Sequence, residues 1–108
     1  MLFRSMEIDE AGVRKEYVIL PETFGVPYCT VEDLAGGDAV QNAGLAMELV
    51  NGLGRPAILA AVALNAGAAL YIALQANTIQ EGYERALQAL EDGSVLRKVE
   101  EVRASSCV

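Results

Sequence analysis

Charged and apolar residues alternate near the start of the chain, which is the pattern of extended strands. Residues 7–9 alternate, and a second extended run covers 13–20. Between these runs, residues 10–12 end in glycine and supply a turn. Pro21 ends the second run, because proline has no N–H to donate to a strand ladder. The pattern predicts a β-hairpin over residues 1–20.

From residue 38 onward the apolar residues recur at the spacing of helices. After a predicted loop over 21–37, Asp38 and Gln41 have the spacing of a capping box and open a first helix. Pro56 stands where proline is favoured, at the first position of a second helix, which we expect to run to about Ala76.

Two further helices are predicted in the last third of the chain. Thr78 and Glu81 have capping-box spacing, and Gly93 is expected to end that third helix. Ser94 is expected to cap the fourth helix, and residues 105–108 are expected to fray. The apolar residues expected to face inward from these two helices are Ile79, Tyr83, Ala86, Leu87, Leu90, Val95, Leu96, Val99 and Val102.

These elements predict an α+β fold that is mostly helical, with one N-terminal β-hairpin followed by four helices. We expect residues 1–108 to form a single domain or subdomain, consisting of the hairpin, the loop and a helical region over 38–104.

The segment 56–76 is apolar on every side, and its only clearly polar residues are Asn65 and Gln75. It is long enough to span a bilayer, but it is rich in alanine and lacks an aromatic belt and a Lys/Arg cluster at either end. We therefore predict a central core helix, in which Asn65 is buried with its amide hydrogen-bonded.

The charge of the chain excludes several classes of function. Eight Lys and Arg against fifteen Asp and Glu give a net charge of −7, which disfavours binding to nucleic acids and to anionic membranes. The chain has no histidine, so Ser-His-Asp catalysis, HExxH zinc sites and imidazole switches are excluded.

The two cysteines, Cys29 and Cys107, form no CxxC motif and are expected to be reduced thiols. The first five residues are too short to make up a signal peptide. Both observations predict a cytoplasmic protein.

Acidic residues offer two weak candidates for chemistry. The adjacent pair Asp9 and Glu10 is of the kind that holds Mg²⁺ with substrate phosphates, but solvated turn charges explain it better. Glu22 could supply a carboxylate, although a single surface glutamate is usually solvated.

Residues 36–38, Gly-Gly-Asp, could open an anion-binding helix N-terminus, but a turn followed by an N-cap is the favoured interpretation. Asn42 and Asn65 lie in apolar helical surroundings, where we expect each to make a helix-to-helix or helix-to-loop hydrogen bond. Composition and motifs alone thus predict no catalytic set.

Taken together, four segments resemble the anthranilate phosphoribosyltransferase family. Residues 13–25 resemble its strand and "Pro-Glu-x-Phe-Gly" loop, and residues 33–43 its "Leu-x-Gly-Gly-Asp-Ala-x-x-Asn-Ala" segment. Residues 63–71 are similar to its "Leu-Asn-Ala-x-x-Ala-Leu-Tyr" helix, and 81–93 to its final helical pair. The order and spacing place the resemblance in roughly the last third of the family's enzyme. Residues 74–75, Leu-Gln, stand where the family commonly has glycine.

The resemblance implies the C-terminal part of the α/β domain of the nucleoside phosphorylase/phosphoribosyltransferase type fold. The family transfers phosphoribosyl from phosphoribosyl pyrophosphate to anthranilate in tryptophan biosynthesis, with Mg²⁺ present. Its glycine-rich phosphate loop, its acidic metal pair and its anthranilate-binding residues all belong to the part that this chain lacks. The expected catalytic, cofactor-binding and metal residues of this chain are therefore none.

Two hypotheses follow from the resemblance. The first is a truncated transferase that is inactive alone, and the second is a helical interaction or oligomerisation module without chemistry. Under either hypothesis we expect a homodimer or higher oligomer, and under the first the missing N-terminal part of the enzyme is a further possible partner.

Overall fold

A computed structural model describes residues 3–26 and 29–106 of the chain. It has one antiparallel β-hairpin followed by two short 3-10 turns and four α-helices, so the predicted α+β fold is confirmed. The residues form two compact units, Met1–Thr30 and Val31–Val108. Within the described residues, no helix is both long and apolar enough to cross a membrane.

The first unit is built on the predicted hairpin. Strand β1 covers Phe3–Ile8 and strand β2 covers Arg14–Ile19, and the register pairs Met6 with Glu16 and Ile8 with Arg14. Side chains of directly opposed residues share one face of a sheet. One face of this hairpin consequently carries Met6, Ile8 and Val18, which are 54%, 60% and 53% exposed.

The segment after the hairpin contains a 3-10 turn at Pro21–Phe24, and a second 3-10 turn at Glu32–Leu34 begins the helical unit. Both lie within the region predicted as a loop. Proline at the first position favours the first turn because its φ is already close to the helical value.

The four helices are α1 (Ala39–Val50), α2 (Pro56–Ile72), α3 (Ile79–Glu91) and α4 (Ser94–Ser106). Helix α1 begins with the predicted capping box, and α2 begins with Pro56 at its first turn. Helix α4 extends two residues into the segment predicted to fray, whereas Cys107 and Val108 lie outside the described residues.

The core of the helical unit is the contact between α2 and α3. Gly67 and Gly82 face each other so closely that a Cβ on Gly67 would lie 2.7 Å from the Cα of Tyr83. Beside them Ala63 is completely buried, and Tyr83 and Ala86 are buried from the α3 side. Small residues allow the two backbones to touch, and this contact positions the rest of the unit.

Helix α2 ends at Ile72, four residues before the predicted end. Leu74 takes a left-handed conformation with φ 62°, and its N–H and that of Gln75 donate to the carbonyls of Tyr71 and Leu70. These two bonds are those of a Schellman motif, which satisfies the last carbonyls of a helix and turns the chain out of it. Ala76 and Asn77 then lead to the cap of α3, where Thr78 accepts from Glu81 N.

Two cap predictions need correction. Glu81 does not complete a capping box with Thr78, because its carboxylate accepts from the N–H of Asn77 at 3.2 Å. Ser94 is not the N-cap of α4, because it is the first residue of the helix itself. Its N–H donates to the Asp92 carboxylate at 2.8 Å. Asp92, the C-cap residue of α3, therefore accepts hydrogen bonds from both the N–H and the hydroxyl of Ser94.

Helix α4 is buried less than the sequence pattern predicted. Val95, Leu96 and Val99 are half-buried, and Val102 is 56% exposed. At its far end the Arg103 guanidinium lies 3.9 Å from the sulfur of Met47 in α1.

Candidate functional site

The Gly36–Asp38 turn, which leads into α1, is the most structured of the candidate sites. The side chain of Asn42 accepts from Gly37 N at 2.9 Å and donates to Gly37 O at 3.0 Å. Asn42 therefore makes the helix-to-loop contact predicted from its position, with both ends of its amide on one residue.

The first turn of α1 adds two reciprocal bonds. Asp38 accepts from Gln41 N at 2.8 Å, and Gln41 accepts from Asp38 N at 2.9 Å. The N–H groups of Gly37, Asp38 and Gln41 thus already have side-chain acceptors of this chain. A phosphate bound at a helix N-terminus needs such N–H groups for itself. The geometry is that of a capped turn, as the favoured interpretation expected.

Arg55 ties this turn to the start of α2. Its guanidinium donates to the carbonyl of Ala35 at 2.8 Å, twenty positions earlier in the chain. Arg85 similarly donates from α3 to the carbonyl of Gln75, in the connection between α2 and α3. Neither arginine was singled out from the sequence. No local motif marks either contact, because each joins segments distant in sequence.

Asp9 and Glu10 form the hairpin turn. One carboxylate oxygen of Asp9 accepts from Ala11 N and from Val13 N, both at 2.9 Å. Such a bond pattern is the usual way in which aspartate stabilises a turn. The Asp9 carboxylate is thus occupied by backbone donors, in agreement with a turn role.

Across 3–26 and 29–106, no three carboxylate, thiol or imidazole side chains come together in a way that could hold a metal. Magnesium in proteins is held by carboxylates together with substrate phosphates and water. Glu22 lies exposed in the 3-10 turn Pro21–Phe24, and Cys29 is a half-buried free thiol.

The prediction for Asn65 is wrong. Its side chain is exposed, and its amide nitrogen donates at 2.7 Å to the carbonyl of Ala61, one turn earlier in the same helix. Helix α2 packs on α3 through Ala63 and Gly67, and Asn65 lies away from that side. An apolar helix suggested burial all round, whereas the structure buries one face.

The pKa values of Tyr83 and Asp92 are shifted, and each shift has a structural cause. Burial against α2 raises the pKa of Tyr83, and the negative charge of Glu91 raises it further. Hydrogen bonds donated by the Ser94 hydroxyl and N–H lower the pKa of Asp92, and Arg97 adds to this effect. Tyr83 belongs to the core contact and Asp92 to the start of α4, so neither marks a cleft for chemistry.

Comparisons with known proteins identify the family to which this fold belongs. The family model described as "Glycosyl transferase family, a/b domain" matches residues 4–96. The chain is 40% identical over 92 residues to anthranilate phosphoribosyltransferase of Alkaliphilus metalliredigens, covering 84% of this chain and 26% of the relative. It is 42% identical over 89 residues to that of Corynebacterium efficiens, covering 82% and 26%.

A third relative extends the match slightly. The anthranilate phosphoribosyltransferase of Rubrobacter xylanophilus is 41% identical over 94 residues, which cover 87% of this chain and 27% of the relative. No solved structure matches the chain. The chain spans about a quarter of the length of these curated relatives. It belongs to the glycosyl transferase family through its a/b domain, and it is similar to the C-terminal portion of anthranilate phosphoribosyltransferases.

Proposed function

We propose that this chain contributes the C-terminal portion of an anthranilate phosphoribosyltransferase and is inactive without the remainder. The observation that carries the proposal is the match of 82–87% of the chain to about a quarter of three such enzymes, at 40–42% identity. The proposed reaction is the family's, transfer of phosphoribosyl to anthranilate in tryptophan biosynthesis, and the proposed location is the cytoplasm.

The proposed role of this portion is to build and support the domain. Its best-defined features are the α2–α3 contact at Gly67 and Gly82, the capped turn before α1 and the bond from Arg55 to Ala35. These interactions hold helices together and leave substrate binding, metal binding and catalysis to the remainder of the enzyme. The acidic charge of −7 supports a protein without a nucleic-acid partner.

A chimera tests the proposal directly. The matching quarter of the Alkaliphilus metalliredigens enzyme is replaced by residues 4–96 of this chain, and formation of phosphoribosyl anthranilate is measured. We expect activity from the chimera and none above the buffer control from the purified 108-residue chain. The relative's remaining three quarters, expressed alone, are the matched control and should also be inactive.

Two outcomes would contradict the proposal. Activity of the isolated chain would show that it carries a complete site. A chimera that folds cooperatively and binds phosphoribosyl pyrophosphate but has no activity would show that this portion does not replace that of the relatives.

A second candidate is a non-catalytic module that associates with a second copy of itself. The hairpin face that carries Met6, Ile8 and Val18 favours this candidate, because each of these three apolar residues is more than half exposed. Among the described residues the sheet has two strands, so each strand has one edge without a neighbouring strand. Light scattering should then give a mass at least twice 11.5 kDa, and a clean monomer would contradict this candidate.

A further inference from the structure

The dipeptide Asn51-Gly52 closes α1, and it is chemically the least stable pair in the described chain. Asparagine is a thermolabile residue, and a following glycine has no side chain to hinder attack by its backbone nitrogen. We propose that Asn51 is a spontaneous modification site, converted to aspartate and isoaspartate, and that the folded end of α1 restrains the reaction.

The reaction needs only water. The backbone nitrogen of Gly52 attacks Cγ of Asn51 and loses its proton to solvent. The bond from Cγ to the side-chain nitrogen then breaks, and that nitrogen takes up a proton from solvent and leaves as ammonia. The cyclic imide that results is opened by water at either carbonyl. One opening gives aspartate, and the other gives isoaspartate, in which the backbone runs through the former side chain. No electron is transferred.

The structure holds both reacting groups apart. The side-chain nitrogen of Asn51 donates to the carbonyl of Met47 at 2.7 Å, and Gly52 N donates to the carbonyl of Leu49 at 3.0 Å. Asn51 has φ −88° and ψ 4°, which directs the Gly52 nitrogen along the helix end and away from Cγ. Ring closure therefore requires the last turn of α1 to open, and the rate follows the population of that opened state.

Conversion of Asn51 to aspartate would destabilise the C-terminal end of α1. An aspartate at position 51 cannot donate to the Met47 carbonyl, and it adds a negative charge at a helix C-terminus, where the backbone dipole already places one. Gly52 also lies against the end of α3, where a Cβ on it would be 3.8 Å from Leu90 O and from the Cα of Glu91. Modification would thus loosen the end of α1 next to an acidic residue of α3.

The other asparagines of the chain serve as internal controls. Asn42 and Asn65 precede alanine, and Asn77 precedes threonine, so the backbone nitrogen that would attack is more hindered in each case. Asn42 is in addition held by Gly37 through both ends of its amide.

The experiment follows all four asparagines in one sample. The folded chain and the same chain in urea are incubated at mildly alkaline pH, digested, and analysed by mass spectrometry for the amide-to-acid mass change and for isoaspartate. We expect Asn51 to react first in both samples, and about tenfold or more faster in urea. If another asparagine reacted before Asn51 in urea, Asn51 would not be the preferred modification site. If Asn51 reacted at the same rate in the folded chain and in urea, the fold would not restrain the reaction.

Two variants separate the chemistry from its consequence. Asn51→Gln should abolish the modification at this position. Asn51→Asp should melt at a lower temperature than Asn51→Ala, which loses the same donor without adding charge. Equal melting temperatures of these two variants would show that charge at the end of α1 has no effect on stability.

Discussion

The middle of α2 has a glycine that its backbone conformation does not require, whereas the end of α2 has a leucine where the conformation favours glycine. At Gly67 the backbone is helical, so any residue could adopt it, but the backbone of α3 leaves no room for a Cβ. At Leu74 the backbone is left-handed with φ 62°, where glycine is favoured, yet a large side chain stands there and is 84% exposed. One position is limited by space and the other by conformation.

The end of α1 provides the reference for Leu74. There Gly52 has φ 76°, and the N–H groups of Gly52 and Leu53 donate to Leu49 and Glu48, in the same motif as at the end of α2. A non-glycine residue in the left-handed region costs about 1–2 kcal/mol. The left-handed residue therefore destabilises the end of α2, where it is leucine, but not the end of α1, where it is glycine. The comparison shows that local conformation and packing space are separate constraints, and it leads to four predictions.

The largest expected effect is at the middle of α2. Gly67→Ala should destabilise the helical unit by about 2–3 kcal/mol, because its Cβ would lie 2.7 Å from backbone atoms of Gly82 and Tyr83. Urea unfolding followed by circular dichroism measures the loss. The matched control is Gly44→Ala in α1, where nothing lies within 4 Å of the added Cβ. That variant should gain about 0.5–1 kcal/mol from helix propensity. Equal effects at the two sites would contradict the close contact.

The next effect tests the two helix ends against each other. Leu74→Gly should stabilise the chain by about 0.5–1 kcal/mol, since relief of about 1–2 kcal/mol is partly offset by the greater freedom of glycine in the unfolded chain. Gly52→Ala should destabilise the chain by about 1 kcal/mol, because alanine disfavours the left-handed backbone of residue 52. The added Cβ has room, so the loss would come from backbone conformation alone. Both are measured as shifts in the urea midpoint. Destabilisation by Leu74→Gly would mean that the leucine side chain makes contacts worth more than the strain.

A smaller effect is expected at Asn65. Asn65→Leu should change stability by no more than about 0.5 kcal/mol, because the exposed amide donates to Ala61 of its own helix and leucine has the higher helix propensity. A buried asparagine with partners on another element would instead cost about 1–3 kcal/mol. The melting temperature of Asn65→Leu distinguishes the exposed from the buried asparagine. A large drop in melting temperature would indicate that Asn65 is buried with partners on another element.

The smallest expected effect is a dependence of stability on acidic pH, caused by Asp92 at the start of α4. Since the Ser94 hydrogen bonds lower the pKa of Asp92 in the folded state, its contribution is present above the unfolded pKa of about 3.9. The contribution is lost as the pH falls through the lower folded pKa. Comparing urea midpoints at neutral and strongly acidic pH for the parent and Asp92→Asn should show a smaller acid loss in the variant. An identical loss would exclude Asp92 as a contributor.

Much of the candidate site could be predicted because its interactions are local. The Asp38–Gln41 capping box, the Asp9 turn and the Asn42 contact join residues at most five positions apart. The family resemblance was likewise visible as four short segments in order. The bonds made by Arg55 and Arg85 could not be predicted, because they span twenty and ten positions.

The sequence by itself determined the kinds and order of the elements, since capping, proline placement and apolar spacing act within a few residues. Only the tertiary structure decided which face of α2 is buried, because a helix that is apolar on every side carries no preference of its own. The contact of Gly67 with Gly82 made that choice, and it left Asn65 in solvent. Tertiary structure likewise ended α2 at Ile72, where the chain must turn to bring α3 back against Gly67, although leucine is a poor residue for that turn.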